Sequence, residues 1–215
     1  MLWIEKSCCV IFNTNYNGCV CKLLIILLFC SNLFANSESY NFFNSYWKIS
    51  KNAFKALENE FVLVESTVKS SKKQQSFKMR GMAYHPKACT KVIKKLSYFE
   101  NYPNMIDFIK SVKYQEKHSF LTVKADHTLL PYPMIIHVIM KRPTKEGVYP
   151  FKFATGMFSG LKGSFTIKEV DNRCSVFVQS NWKGPDTKIP DLAIELFSET
   201  LTKIAVRTLI RKTSL

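Results

Sequence analysis

The side chains best equipped for chemistry are four histidines (His85, His118, His127 and His137) and the two cysteines that follow residue 35, Cys89 and Cys174. No histidines pair at metal-ligand spacing and no cysteine pattern resembles a CxxC site, so no metal is expected. His127 and His137 lie within alternating segments, from which either could reach an interior space or stay at the surface. Asp126 projects to the opposite strand face from His127, so their adjacency does not make an acid–base dyad. Asp107 and Arg142 read as polar contacts or as solvated charges. The chain contains no GxSxG, no HExxH, no phosphate-binding glycine loop and no dinucleotide fingerprint. No catalytic residue and no cofactor is therefore expected. Cys89 and Cys174 admit two readings: one bridge in an oxidising compartment, or two buried thiols.

The 215 residues carry 31 Lys and Arg against 16 Asp and Glu, a formal charge of +15. Only Lys6, Lys22 and Glu5 fall in residues 1–35, so nearly all of the excess belongs to the rest of the chain. Such a surface favours anionic partners such as lipid headgroups or nucleic acid, or is simply a solvated basic exterior. With 47% hydrophobic residues, including 17 Phe, the chain can fill one core and still line a cavity.

Five of the seven cysteines precede residue 31. Lys22, the apolar run of residues 23–29, Ala35 and the polar residues 36–39 have the layout of a secretory signal, with a cut expected after Ala35. The apolar run is too short to span a bilayer. Residues 1–19 make a long leader before it, consistent with a translation start nearer Val20. The expected product is secreted or periplasmic. The expected division is a signal and leader over 1–35, a helical extension over 36–59, and a ligand-binding domain over 60–215.

Periodicity predicts one helix over 39–57, then a strand hairpin from 61–68 and 76–84 around a polar turn. A helix opening at Pro86 carries Val92, Ile93 and Leu96, and a short helical turn follows over 98–103. Strands are then predicted near 112–116 and over 119–130, 134–141, 148–154, 161–170 and 175–183, with a turn at Asp171-Asn172-Arg173. The chain closes with a long helix from Pro190, whose expected stripe runs Leu192, Leu196, Thr200, Ala205, Leu209, widened by Ile189, Ala193, Phe197, Leu201 and Ile204. Adjacent strands followed by one long amphipathic helix give an α+β class, an antiparallel sheet needing a cover and a helix to provide it.

Several stretches in this order resemble the START-like helix-grip superfamily, which includes the polyketide cyclase and coenzyme-Q-binding proteins. They are HPKACTKVIKKLSYFENYPNMIDFIKSVKYQEK over 85–117, Leu130-Pro131-Tyr132-Pro133, Gly160-Leu161-Lys162-Gly163 and KGPDTKIPDLAIELF over 183–197. Tyr102-Pro103 resembles the usual link before the next strand, and Ile189-Pro190 the usual approach to the gripping helix. The resemblance covers about 60–211. It implies a curved antiparallel sheet wrapped around a long C-terminal helix, with two short helices early, and a cavity for a lipid, quinone, polyketide or other hydrophobic molecule; the N-terminal helix over 39–57 is extra to it. The superfamily has no universal catalytic residue, so no site is carried over by motif. Taken by face, the expected lining is Ile136, His137, Val138, Phe153, Phe165, Ile167, Val176 and Val178 from the strands and Leu192, Leu196 and Phe197 from the helix. Met157 and Phe158, in the Gly156–Gly160 loop, are expected at the mouth. A non-catalytic hydrophobic-ligand carrier is the first expectation and a cyclase- or aromatase-type enzyme the second. A nucleic-acid module fits poorly with an export signal.

Overall fold

The computed structural model describes residues 38–60, 62–130 and 132–214. The leader, the apolar run, the cut after Ala35, Phe61 and Pro131 lie outside them.

The helix expected over 39–57 is two helices, α1 over residues 38–46 and α2 over Lys51–Glu60. Ser50 causes the break: its Oγ accepts the Ala53 N–H at 3.1 Å and its carbonyl accepts the Phe54 N–H at 3.0 Å, an N-cap that starts a new helix. Ile49 before the cap and Phe54 four residues after it are buried in one cluster, the pattern of a hydrophobic staple.

Eight antiparallel strands follow: β1 (Val62–Ser70), β2 (Gln74–His85), β3 (Ile109–Gln115), β4 (Phe120–Ala125), β5 (Met134–Met140), β6 (Gly147–Thr155), β7 (Lys162–Val170) and β8 (Arg173–Pro185). They form one curved sheet in the order β1-β2-β8-β7-β6-β5-β4-β3. Between β2 and β3 lie α3 (Cys89–Leu96) and the short α4 (Tyr102–Met105), and α5 (Asp191–Ser214) ends the chain. The β7–β8 hairpin turns on Asp171 and Asn172, with φ of 52° and 57°, the left-handed pair that a two-residue turn of matching twist requires.

The sheet is apolar on both sides of β2 and β8. Inward residues such as Phe77, Val178 and Trp182 meet α5 across the main core, with Val178 also lining the space beneath the helix. Outward residues Met82, Tyr84 and Phe177 are sealed under α1 and α2 by Phe43, Phe54 and Leu57. Burial pushes the Tyr84 phenol up to about 12. The N-terminal helices therefore act as the cover of a second core. The Asp171 carboxylate ties α1 to the β7–β8 turn by accepting from Ser39 N–H and Oγ.

Cys89 and Cys174 are joined by a disulfide, so the bridge is the reading that holds of the two the sequence left open. Both are fully buried, beside Val92 and Ile93, and fasten α3 to the first residues of β8.

Candidate functional site: a cavity under the C-terminal helix

What holds α5 against the sheet also fixes which of its faces looks inward. β1 is an edge strand, so alternate N–H groups on its outer side lack a partner strand. Three carboxylates of α5 take the place of those carbonyls. Glu199 accepts from Ser66 N–H at 2.7 Å, Glu195 from Val68 N–H at 2.6 Å, and Asp191 from Ser70 N–H at 2.9 Å. The spacings match: four helical residues advance about 6 Å and two strand residues about 6.8 Å. Asp191 also accepts from Ser70 Oγ and Gln75 Nε2, and these bonds hold its carboxyl below the usual carboxylate range.

With the carboxylates turned to β1, Ile194, Phe197 and Leu201 point into the sheet and are buried. Leu192 and Leu196, expected in the lining, instead face solvent, 64% and 59% exposed. The helix carries apolar residues on two sides, and periodicity alone does not say which side the sheet receives. Leu192 lies two positions from Ile194, about 200° around the helix.

Between α5 and the concave face is a cavity of about 560 Å³, within the range that holds a drug-sized molecule. Of the expected residues, Ile136, Val138, Phe153, Phe158, Phe165, Ile167, Val176, Val178 and Phe197 lie on its wall. His137 does not. Val138 points inward, so its neighbour projects outward, where the His137 ring meets Thr155 Oγ1 at 2.5 Å and packs on Phe120. Met157 packs against the main core without reaching the wall. In that loop Phe158 is the inserted residue, stacked on Phe77 at 5.4 Å and meeting Trp182 edge-on at 5.2 Å. Trp182 Nε1 pins the loop by donating to the Ser159 carbonyl at 2.9 Å.

Sequence reasoning left out several wall residues, among them Phe99, Phe108, Leu121, Val123, Thr202 and Val206. Alternation places Leu121 and Val123 on one strand face and was the available signal; the α3–α4 aromatics and the lower half of α5 carried none. Gly163 is indispensable to the shape. A Cβ there would lie 2.4 Å from the Phe151 ring and from the Gln179 carbonyl, so only glycine lets that ring lie over β7.

Among the described residues no Asp, Glu, Lys or Arg side chain lines the cavity, and the one histidine among them that does, His85, is already engaged. Its Nδ1 accepts from Lys87 N–H at 3.1 Å, which leaves Nε2 to donate to Thr213 Oγ1 at 2.9 Å, fastening the end of α5 to β2. Burial first, then the charges of Lys87 and Lys95, hold this imidazole below its usual range. His127 sits in the loop after β4 and accepts from Leu129 N–H. Arg142 is no solvated charge: it stacks over Phe99 and Tyr114, pairs with Glu100 at 2.8 Å and Glu116 at 2.5 Å, and donates to Ser97 O, clamping the short helices to the sheet beside the cavity. That guanidinium holds Glu100 below the usual carboxylate range. Among the described residues no cluster of three or more His, Cys, Asp or Glu could hold a metal. No helix among them is long and apolar enough to cross a membrane.

No protein-family model matches the sequence, and no curated protein does. Solved structures match the fold. The Zhui aromatase/cyclase from Streptomyces sp. R1128 aligns over 65% of this chain and 94% of its own at 8% identity, with a TM-score of 0.55. A conserved protein from Geobacillus kaustophilus aligns over 63% and 93% at 9% identity, with a TM-score of 0.52. A START superfamily protein from Mycobacterium smegmatis covers 66% and 97% at 15% identity, with a TM-score of 0.49. An eight-stranded antiparallel sheet curved around one long C-terminal helix, with two short helices between its second and third strands, is the helix-grip fold, and this chain has it.

Proposed function

We propose that this protein is an exported, non-catalytic carrier that holds a hydrophobic molecule, a lipid, quinone or similar compound, between the sheet and α5, and meets anionic membrane surfaces through its lysines. The observation that carries the reading is the cavity of about 560 Å³ with no charged side chain on its wall among the described residues. An apolar guest gains there the transfer free energy of its buried surface, roughly 25 cal/mol per Å², while a charged group would go unpaired. The cyclase-type alternative needs an acid or base free to act on the guest. The engagement of both His85 nitrogens supports the carrier instead.

The test is binding of the neutral dye N-phenyl-1-naphthylamine, followed by fluorescence, beside native mass spectrometry of protein purified without detergent. Wild type takes up the dye at about one equivalent. Val178→Trp, which fills the cavity from β8, loses most of the uptake while keeping its circular dichroism spectrum. Failure of wild type to bind the dye or any co-purifying apolar species, or unchanged uptake by the filled variant, overturns the reading.

A further inference from the structure

The polar groups on the cavity wall are few, and nearly all are satisfied by the protein. Tyr102 Oη donates to the Leu96 carbonyl at 2.6 Å, and Ser198 Oγ is bonded to Ser66 and to the Glu195 carbonyl. Ser97 bonds Lys94 O, and His85 is engaged on both nitrogens. The Tyr84 ring lies in the second core, under α1 and α2. Ser180 is the exception. It is 6% exposed, sits on the concave face between Val178 and Trp182, and its hydroxyl has no hydrogen-bond partner. Its cross-strand neighbours are Met79 and Gly163, neither of which offers a side-chain partner as good as an oxygen. Across the space, Thr202 Oγ1 of α5 reaches only the Met79 sulfur, at 3.8 Å, a weak acceptor. One partly buried thioether thus neighbours two under-used hydroxyls, in a wall whose other polar side chains are already bonded within the protein.

A buried hydroxyl without a partner is costly, and a wall with no countercharge does not accept an ion. Resting on the carrier reading, we propose that the guest is an uncharged amphiphile with a single hydrogen-bonding head, a hydroxyl or carbonyl, seated against Ser180 with Thr202 opposite and its hydrocarbon filling the remainder. Ser180 both donates and accepts, so either head is served. A carboxylate or phosphate head is not.

Displacement of N-phenyl-1-naphthylamine by decan-1-ol, decane and decanoate at pH 8 tests this, in wild type and in Ser180→Ala. The alcohol-to-alkane comparison is made between the two proteins, so that the hydration of each probe cancels. Ser180→Ala weakens decan-1-ol about tenfold, equivalent to about 1.4 kcal/mol, and leaves decane within about twofold. Decanoate displaces far less dye than decan-1-ol. The ligand-free variant melts at or above the wild-type temperature, because the substitution removes an unpartnered hydroxyl rather than a bond. Equal effects on alcohol and alkane, no effect on either, decanoate competing as well as the alcohol, or a melting temperature several degrees lower would each overturn the assignment while leaving dye uptake, and the carrier reading, intact. Failure of the dye to enter wild type overturns both.

Discussion

Replacing Glu195 with Ala removes the carboxylate that accepts the Val68 N–H at 2.6 Å, midway along the contact between α5 and the β1 edge. Val68 is 6% exposed, so its amide, once abandoned, is poorly placed to find water. A hydrogen bond to a charged group contributes about 1.5–3 kcal/mol. Alanine's better helix propensity returns a few tenths, and the flanking bonds from Ser66 and Ser70 remain. The expected net loss is about 2 kcal/mol, read as a fall in the urea midpoint at unchanged slope and a melting temperature lower by about 4–8 °C. Amide exchange locates the effect. The Val68 N–H, stripped of its acceptor, exchanges faster by more than the roughly thirtyfold that about 2 kcal/mol of global destabilisation gives, while amides between β6 and β7 change only by that global amount. Glu195→Gln keeps an acceptor oxygen and loses only charge, so about half the destabilisation is expected. A loss below about 0.5 kcal/mol with unaltered Val68 exchange would refute the idea that side-chain carboxylates substitute for the missing strand.

Two further outcomes follow, one from the His85 tie at the other end of the helix and one from the disulfide between α3 and β8. His85 is neutral when folded and its pKa lies below the unfolded value near 6.5, so the unfolded chain binds the extra proton. The stability it secures is complete above about pH 6.5 and is lost as pH falls from there toward the depressed folded value; urea midpoints at pH 7.5 and 5.5 should diverge in wild type and converge in His85→Gln, and an unchanged divergence would rule out His85 as its source. The Cys89–Cys174 bridge closes a loop spanning 85 positions, and Cys89→Ala with Cys174→Ala should cost about 2–5 kcal/mol, checked by urea unfolding of the double variant; two alkylatable thiols in unreduced, denatured wild type would contradict the bridge.

Local pattern was enough to specify the elements and most of one strand face. Residues 134–140 alternate so regularly that Ile136 and Val138 must share a side, and both do lie on the cavity wall. The Asp171-Asn172 turn and the long C-terminal helix were legible for the same reason: each depends on residues within a few positions of one another. Tertiary structure decided what depends on a distant partner. Periodicity placed Leu192 and Leu196 on one stripe, yet the bonds from Ser66, Val68 and Ser70, more than 120 residues away in sequence, set the rotation that turns both outward. His137 projects to the outside because only the assembled sheet distinguishes its concave face from its convex one. Met82, Tyr84 and Phe177 read as ordinary alternate strand positions until α1 and α2 are folded over them. Arg142 finds Glu100 and the rings of Phe99 and Tyr114 only because β5 ends beside the short helices. A repeat along the chain states which residues move together; only the partner across the fold determines which way they face.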